Sequence, residues 1–464
     1  MPVVHCARTP RRRHKRNKNP EFGLAIVTFL IAAFLPPTAL ILFGLDYATA
    51  GGNPLSKVHP ATYFAIFGLL ALTIAGRGPV YLRLLKEQKG LLFYFLSWLA
   101  LQLYTVIFQS TPLSATIDTF FLPGMLFLIL ATLNNKNNAA LASLLDIFMA
   151  LNSVLAIYEL VSGFRLIPVT AASAKAGVIF FANDWRPSAF MGHPLTGAVV
   201  TGAYFLIVLS NYRMRSNWYR FALLALSGLA LLAYGGRMAL GTTLFCSMCY
   251  LAAHGFILLG REPVRRHVAA ALFFGPLVIV LVGIALFEFG FLDKFIQRLN
   301  FDNGSAESRS LALELVTNLP MSSLIHGLPQ MSTTDITTRY GVATGVESFW
   351  LSFMLRYGLI GCVIFFPGLF VFVASLVRQT RPTAWLIILY FFITISTSVS
   401  ISSKNLSLVF VTIFILANYR KNAPSYQIAE GVISRKVQSW RGPDPKRRMR
   451  ASRPFGSDAA APEF

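Results

Sequence analysis

The sequence ESFWLSFMLRYGLIGCVIFFPGLF, residues 347–370, decides the kind of fold, because it joins a long polar segment to an apolar run suited to lipid. The polar segment comes first: residues 293–320 are DKFIQRLNFDNGSAESRSLALELVTNLP, and residues 322–345 are SSLIHGLPQMSTTDITTRYGVATG. In a chain of 464 residues that is 55% hydrophobic, this is the largest interior segment suited to water. It indicates where chemistry can take place on a protein otherwise surrounded by lipid.

Composition places the chain among polytopic membrane proteins. Only 13% of its residues are charged, whereas soluble domains carry about 25%. The net charge of +22 invites a nucleic-acid interpretation, but the basic residues are concentrated at the two ends, with seven Lys or Arg in residues 6–20 and ten from residue 420 onward. Basic segments that flank membrane spans favour the anionic cytoplasmic leaflet. We therefore expect membrane lipids as partners and no nucleic acid.

Apolar runs predict an all-α, polytopic integral membrane protein with about twelve transmembrane helices. Lys and Arg in alternate short loops place both termini in the cytoplasm. A basic tail (1–21) and a basic, disordered tail (420–464) flank the transmembrane domain (22–419), whose long loops 163–194 and 292–346 are expected on the outer side of the membrane. The predicted spans are residues 22–44, 61–76, 91–110, 119–133, 139–161, 195–210, 221–235, 238–259, 268–291, 357–377, 385–399 and 406–419.

Neither the cysteines nor the histidines predict a cofactor. Cys246 and Cys249 have the spacing of a redox or zinc motif, but they stand inside an apolar run, where thiols behave as small buried apolar groups. We therefore expect no metal and no other cofactor. The polar residues that would have to supply a metal site show no ligand spacing: His193, His326, Asp335 and Glu347.

Ionisable residues in the predicted outer loops, or at the outer ends of spans, form the candidate site. A planar guanidinium suits a phosphate or diphosphate, and the positive-inside rule does not place arginine on this side. The alternative for Arg237 is an arginine that extends to the lipid headgroups. The candidates are Arg186, His193, Arg237, Arg309, His326 and Glu347.

The roles of the other candidates are open between two interpretations. Glu347 stands where the polar loop becomes apolar, so it is either a partly desolvated proton acceptor or a carboxylate that caps a helix N-terminus. His193 either contacts substrate or bonds the backbone at a helix start. Arg309 lies near the start of a predicted amphipathic helix, residues 305–320, that Pro320 closes, and it either reaches substrate or pairs with Glu307. The apolar stripe expected on that helix is Leu311, Leu313, Leu315 and Val316.

Four segments carry a resemblance to a known family. They are RPSAFMGHPLTGA at 186–198, YGGRMAL at 234–240, SRSLALELVTNLPMSSLIHGLP at 308–329 and ESFWLSFMLRYGLIG at 347–361. In this order, with the number of spans and the large late outer loop, the chain resembles the O-antigen polymerase and O-antigen ligase superfamily of bacterial polysaccharide assembly. The resemblance covers most of residues 22–419.

The resemblance implies a GT-C-like membrane fold in the bacterial inner (plasma) membrane, with the two long loops in the periplasm. It also implies an inverting, metal-independent glycosyltransferase that works at the periplasmic face. Its donor would be an oligosaccharide on undecaprenyl diphosphate, and a chain-length regulator and a flippase would be further partners. Arg237, with Arg186 or Arg309, would neutralise the diphosphate, and Glu347 would be the catalytic base. His193 and His326 are further substrate-binding candidates.

The same residues leave alternative functions open. Ligases of this family typically carry His-Asn or His-Ser where the present chain has Glu347-Ser348, which favours a polymerase for exopolysaccharide or O-antigen growth over a ligase that transfers glycan to lipid A–core. A flippase or other transporter would need ionisable residues inside the membrane and repeated halves. The interior candidates are few: Asp146, Glu159, His254 and Glu288.

Overall fold

The structure, a computed structural model, is helical. It describes residues 19–45, 47, 54–109, 114–167, 186–210, 217–259, 288, 305–328, 346, 348–397, 401 and 404–421. In these residues the one extended feature is an isolated bridge between Thr380 and Arg420, so the predicted all-α class is confirmed for them. Glu347, almost all of the predicted ninth span, and most of the two long loops and the two tails lie outside the described residues.

Proline and glycine shape the helices of the first half. Pro36 and Pro37 separate α1 from α2, because proline removes a backbone donor and disfavours helix before it; the predicted span 22–44 is therefore interrupted. A π-helical turn, Thr73–Arg77, joins α3 to α4, so much of the basic stretch 77–90, which lies between the predicted spans 61–76 and 91–110, is helical. The helices are α1 (Pro20–Phe34), α2 (Pro37–Leu42), α3 (Pro60–Leu72), α4 (Gly78–Glu87), α5 (Lys89–Phe108), α6 (Leu122–Ala131) and α7 (Asn135–Ser162).

The second half contains the longest helix of the described residues. That helix starts at Phe349, eight residues before the predicted span 357–377, and its backbone breaks at Gly358 (φ 70°, ψ 176°). The amphipathic helix expected near residue 305 is confirmed, and a short helix follows it. The helices are α8 (Pro194–Ser210), α9 (Asn217–Tyr234), α10 (Arg237–Leu259), α11 (Ser305–Asn318), α12 (Met321–His326), α13 (Phe349–Gln379), α14 (Ala384–Ile395) and α15 (Ser407–Tyr419).

Among the described residues, four helices are long and apolar enough to cross a membrane: Pro60–Glu87, Lys89–Phe108, Asn135–Ser162 and Phe349–Gln379. Large apolar side chains point outward from them, with Phe67 62% exposed, Ile74 88% and Val363 73%. Such a surface is unfavourable in water and is expected of helices that face lipid. The chain is therefore consistent with a membrane protein.

The core is built around α8 and α15. Every residue of α15 and nearly every residue of α8 is buried, because α8 packs against α7, α9, α10, α14 and α15. A helix that is apolar on all sides belongs in such a central position. Both are shorter than 18 residues, and so is α1, which is tolerable where neighbouring helices cover the ends.

Two boundary residues belong to the folded part rather than to the tails. Glu21 is buried in α1, and its carboxylate lies 3.5 Å from the guanidinium of Arg77. Arg420 is also buried, and its guanidinium donates to the carbonyls of the last turn of α6 and of the loop after it. An arginine that satisfies free helix-end carbonyls fixes the chain end against the bundle. The described helical bundle therefore includes Glu21 and Arg420, each one residue outside the predicted limits 22 and 419.

Candidate functional site

The carboxylate of Glu159 organises the segment that contains Arg186 and His193. Glu159 lies in the last turn of α7 and is fully buried. One of its oxygens accepts the backbone N–H of Leu166 at 3.0 Å, and the other accepts the N–H groups of Ser188 and Ala189 at 2.8 and 3.0 Å. A single carboxylate therefore ties the chain that leaves α7 to the chain that approaches α8.

Asn152, two helical turns earlier in α7, continues this network. Its amide oxygen accepts the N–H of Phe190 at 3.2 Å, and its amide nitrogen donates to the Tyr234 hydroxyl at 2.9 Å. Tyr234 is the last residue of α9 and is fully buried. We refer to Glu159, Asn152, Tyr234 and the backbone of residues 188–190 as the Glu159 cluster.

The turn before Arg237 packs against the same region. A side chain at Gly236 would place its Cβ 2.5 Å from the Cβ of Ala198, so only glycine allows this approach between the turn and α8. Ala189, Ala198 and Ala239 are buried in one apolar cluster with Tyr234. The structure therefore brings together the segments that carry three predicted residues: Arg186, His193 and Arg237.

The side chains of these three residues are partly buried. The Nδ1 atom of His193 accepts the N–H of Leu195 at 3.2 Å, at the start of α8, in agreement with the interpretation that this histidine bonds the backbone at a helix start. The carbonyl of Arg186 accepts two bonds from the Arg165 guanidinium, at 3.0 and 2.7 Å. Arg237 is the first residue of α10, where the helix N-terminus adds partial positive charge. Two arginines, one of them at a helix N-terminus, therefore stand in segments that pack in the same region as the Glu159 carboxylate.

The helices that carry Arg309 and His326 pack near the first part of α13. Arg309 lies in the first half of α11. His326 ends α12 with an exposed ring, and its carbonyl accepts the Tyr104 hydroxyl at 3.1 Å and the Gln109 amide. Gly327 packs directly on the break at Gly358, where a Cβ would come within 2.5 Å of the Gly327 nitrogen.

The apolar face of α11 differs by one position from the prediction. Ala312 and Leu315 are buried against Leu355 of α13, whereas Leu313 is 57% exposed. Leu311 and Val316 pack at the edge of this contact. The buried face differs from the predicted stripe because residues on one side of a helix recur every three to four positions, whereas the predicted stripe includes residues two positions apart.

A second buried polar cluster, which we did not predict, surrounds Asp118 just before α6. Its fully buried carboxylate accepts the Tyr47 hydroxyl at 2.9 Å, the Thr62 hydroxyl at 2.6 Å and the N–H of His59 at 3.0 Å. The Lys404 amine lies 3.8 Å from the same carboxylate and 3.9 Å above the Tyr47 ring. The Asp118 cluster, which comprises these five residues, joins three loops that the sequence assigns to the same side.

Burial decides the electrostatics of this cluster. It lowers the pKa of Lys404 to about 8, against the opposing attraction of Asp118. It also lowers the pKa of His59. The Nδ1 atom of His59 accepts the N–H of Ala61, while Nε2 lies 2.7 Å from the Leu35 carbonyl, so the ring is the neutral tautomer with its proton on Nε2.

The sequence contains a signal for the Asp118 cluster. Asp118 stands directly before one predicted span, and Lys404 stands two residues before another. Lys404 is a lysine in a loop that the positive-inside rule assigns to the outside. Two side chains of opposite charge, at the ends of two spans on the same predicted side of the membrane, indicate an ion pair.

Two of the four interior residues that a transporter could use, Asp146 and Glu159, have hydrogen-bond partners within the protein. Asp146 accepts the Tyr204 hydroxyl at 2.9 Å, and Glu159 bonds the backbone. His254 and Glu288 are exposed. Among the described residues, no three His, Cys, Asp or Glu side chains form a group that could hold a metal ion.

A scan against protein-family models and a search of curated proteins found no match to this chain.

Proposed function

We propose that the chain is a bacterial polysaccharide polymerase. It would join oligosaccharide repeat units carried on undecaprenyl diphosphate at the periplasmic face of the inner membrane. One observation carries the proposal: the segments RPSAFMGHPLTGA and YGGRMAL, both part of the family resemblance, pack together through the Glu159 cluster and the contact of Gly236 with Ala198. Two arginines and a histidine from distant parts of the sequence thereby share one end of the helical bundle.

The proposed reaction requires positive charge near the diphosphate leaving group. In the proposed reaction the acceptor sugar hydroxyl attacks the anomeric carbon of the donor, and the bond from that carbon to the diphosphate oxygen breaks with inversion. Undecaprenyl diphosphate leaves with its electron pair. Arg237 and Arg186 would stabilise the charge that develops on the leaving group, because a planar guanidinium binds two phosphate oxygens at once.

The remaining predicted residues take the other roles. Glu347 would accept the proton of the acceptor hydroxyl, and Arg309, His326 and His193 would contact the sugars or the lipid-linked phosphates. A general base contributes about 100- to 10,000-fold to a rate. Glu347→Gln, which keeps the shape but not the basicity, is therefore expected to reduce polymer formation by a factor in that range in a normally abundant protein.

The lipid-linked glycans that accumulate after deletion of the gene test this function. Single repeat units on undecaprenyl diphosphate in the periplasm are the result expected for a polymerase. Long lipid-linked chains that fail to reach lipid A–core would instead indicate a ligase. Repeat units retained at the cytoplasmic face would indicate a flippase and would contradict the enzyme proposal.

A further inference from the structure

We propose that Glu159 is a positioning residue that fixes the backbone of residues 186–193, and with it the side chains that bind the substrate diphosphate. This inference rests on the proposed function for the identity of the ligand. Its structural basis is independent of that function, because it is the hydrogen bonding of one buried carboxylate.

The position of Glu159 is unfavourable for α7 itself. A carboxylate in the last helical turn meets the negative end of the helix dipole, and full burial removes it from water. A residue that only had to fill space there could be apolar. The three backbone N–H bonds therefore account for a carboxylate at this position.

The backbone around Ala189 forms a concave group of N–H donors. Ser188 lies in the right-handed helical region (φ −118°, ψ −24°), and Ala189 has φ +43°, a conformation that L-residues rarely adopt. Successive N–H groups in such a right-to-left-handed turn converge and bind anions. Here the anion is the side chain of Glu159, since its carboxylate accepts the N–H groups of Ser188 and Ala189.

This internal anion has two consequences. It holds Ala189 in a strained conformation that has to be maintained by its surroundings. It also occupies the N–H donors that a phosphate would otherwise use, so a substrate diphosphate has to be bound by side chains. Arg186, whose carbonyl is held by Arg165, and His193 lie on either side of this turn, and their positions follow from it.

Glu159→Gln is the informative variant, because glutamine keeps the volume. Its single oxygen can replace one carboxylate oxygen, and its NH₂ group then faces a backbone donor. The matched control is Asp146→Asn in the same helix, where the partner is the Tyr204 hydroxyl. The Tyr204 hydroxyl can rotate to donate or to accept a hydrogen bond. Asp146→Asn therefore removes a carboxylate from α7 without placing an NH₂ group against a fixed backbone N–H donor.

Two measurements on the full-length protein in lipid nanodiscs test the inference. Amide hydrogen exchange is expected to become at least about 10-fold faster at residues 166 and 188–190 in Glu159→Gln and to stay unchanged there in Asp146→Asn. Binding of undecaprenyl diphosphate, used as the probe, is expected to weaken about 10- to 100-fold, since a displacement of about 1 Å has effects of that size. In turnover assays KM for the lipid-linked donor should change more than kcat.

The outcomes separate the inference from the function. Unchanged exchange at residues 188–190 in Glu159→Gln would overturn the positioning role. Faster exchange with unchanged binding of undecaprenyl diphosphate would also overturn it, because the segment would then not determine diphosphate affinity. A wild-type protein that neither binds undecaprenyl diphosphate nor elongates the lipid-linked donor would refute the proposed function. The hydrogen-exchange rates of Glu159→Gln would still show whether the hydrogen bonds of Glu159 fix residues 188–190.

Discussion

The Asp118 cluster and the Glu159 cluster both bury a carboxylate completely, but they satisfy it in different ways. Asp118 is held by a lysine, two hydroxyl groups and a backbone N–H, which come from residues 47–62 and from Lys404, all far from Asp118 in the sequence. Glu159 is held by three backbone N–H groups, one just after α7 at Leu166 and two in the short segment before α8 at Ser188 and Ala189. The first arrangement connects parts of the scaffold, and the second shapes one segment.

This difference predicts which substitutions unfold the protein and which alter its activity. A buried charge that loses its counter-ion destabilises the whole fold, because the remaining charge has no favourable alternative. A carboxylate that loses backbone donors releases mainly the segment that supplied them. The following predictions test this contrast, beginning with the largest expected effect.

Lys404→Met is expected to reduce the free energy of unfolding by roughly 3–5 kcal/mol, the range for breaking a buried ion pair from one side. The Asp118 carboxylate would remain buried without a cation. Denaturant unfolding of the purified protein in detergent measures the effect, and Lys421→Met, which removes an exposed lysine bonded to the Arg378 carbonyl, is the control. Equal stability of the two variants would contradict the scaffold role.

Arg237→Lys is expected to reduce polymer formation about 10- to 100-fold with the stability of the wild type, because an ammonium group cannot bind a diphosphate in the bidentate manner of a guanidinium. Polymer yield and membrane abundance are measured together. Arg220→Lys, at the opposite end of α9, is the control, since Arg220 donates to the carbonyls of Val208 and Leu209. Normal polymer from the Arg237 variant would mean that this arginine only meets lipid headgroups.

Glu159→Gln is expected to reduce the free energy of global unfolding by only about 1–2 kcal/mol, a value appropriate to the loss of part of one hydrogen-bonded group. The effect should be smaller than that of Lys404→Met, although both carboxylates are fully buried. The same denaturant titration gives both numbers. If the order were reversed, Glu159 would be the structural centre and the contrast between the two clusters would be wrong.

The pH dependence of stability gives the smallest effect. Because burial lowers the pKa of Lys404 to about 8, the folded and unfolded states both hold the proton below that pH. Between about pH 8 and roughly 10.4, the unfolded state binds a proton that the folded state has lost, so the free energy of unfolding rises with pH. Wild type should gain about 1 kcal/mol relative to Lys404→Met between pH 7 and pH 9. If the difference in stability between wild type and Lys404→Met did not change with pH, the lowered pKa of Lys404 would be contradicted.

Much of the fold follows from local patterns in the sequence. The limits of α5, α8 and α15 agree with the predicted spans to within two residues, because their apolar runs are bounded by polar residues or proline. Errors appear where the chain bends inside an apolar or basic run. The break at Gly358 depends on its contact with the segment around Gly327, which a residue pattern does not contain. The π-helical turn that leads into α4 contains Gly76 at φ 90° and no buried residue, so packing does not account for it.

The sequence contains part of the information on the candidate site. The predicted outer location of Arg186, His193 and Arg237 and the chemistry of their side chains make them candidates, and the structure brings their segments together. From the sequence Glu159 is only an interior charge, since its partners are backbone groups that every residue possesses. Lys404 and Asp118 are 286 positions apart, so only the predicted order of the spans, and no local pattern, relates them.

The sequence by itself determined the helical class of the described residues, the presence of helices long and apolar enough to cross a membrane, and the approximate positions of most described helices, because hydrophobic length and charge act locally along the chain. Only the tertiary structure decided that α8 and α15 lie at the centre, that Asp118 has Lys404 as its counter-ion, and that Glu159 serves as an internal anion for the Ser188–Ala189 turn. These outcomes depend on groups brought within a few ångströms by packing. A buried charge has to find its partner in space, and the linear sequence does not fix which groups will be near it.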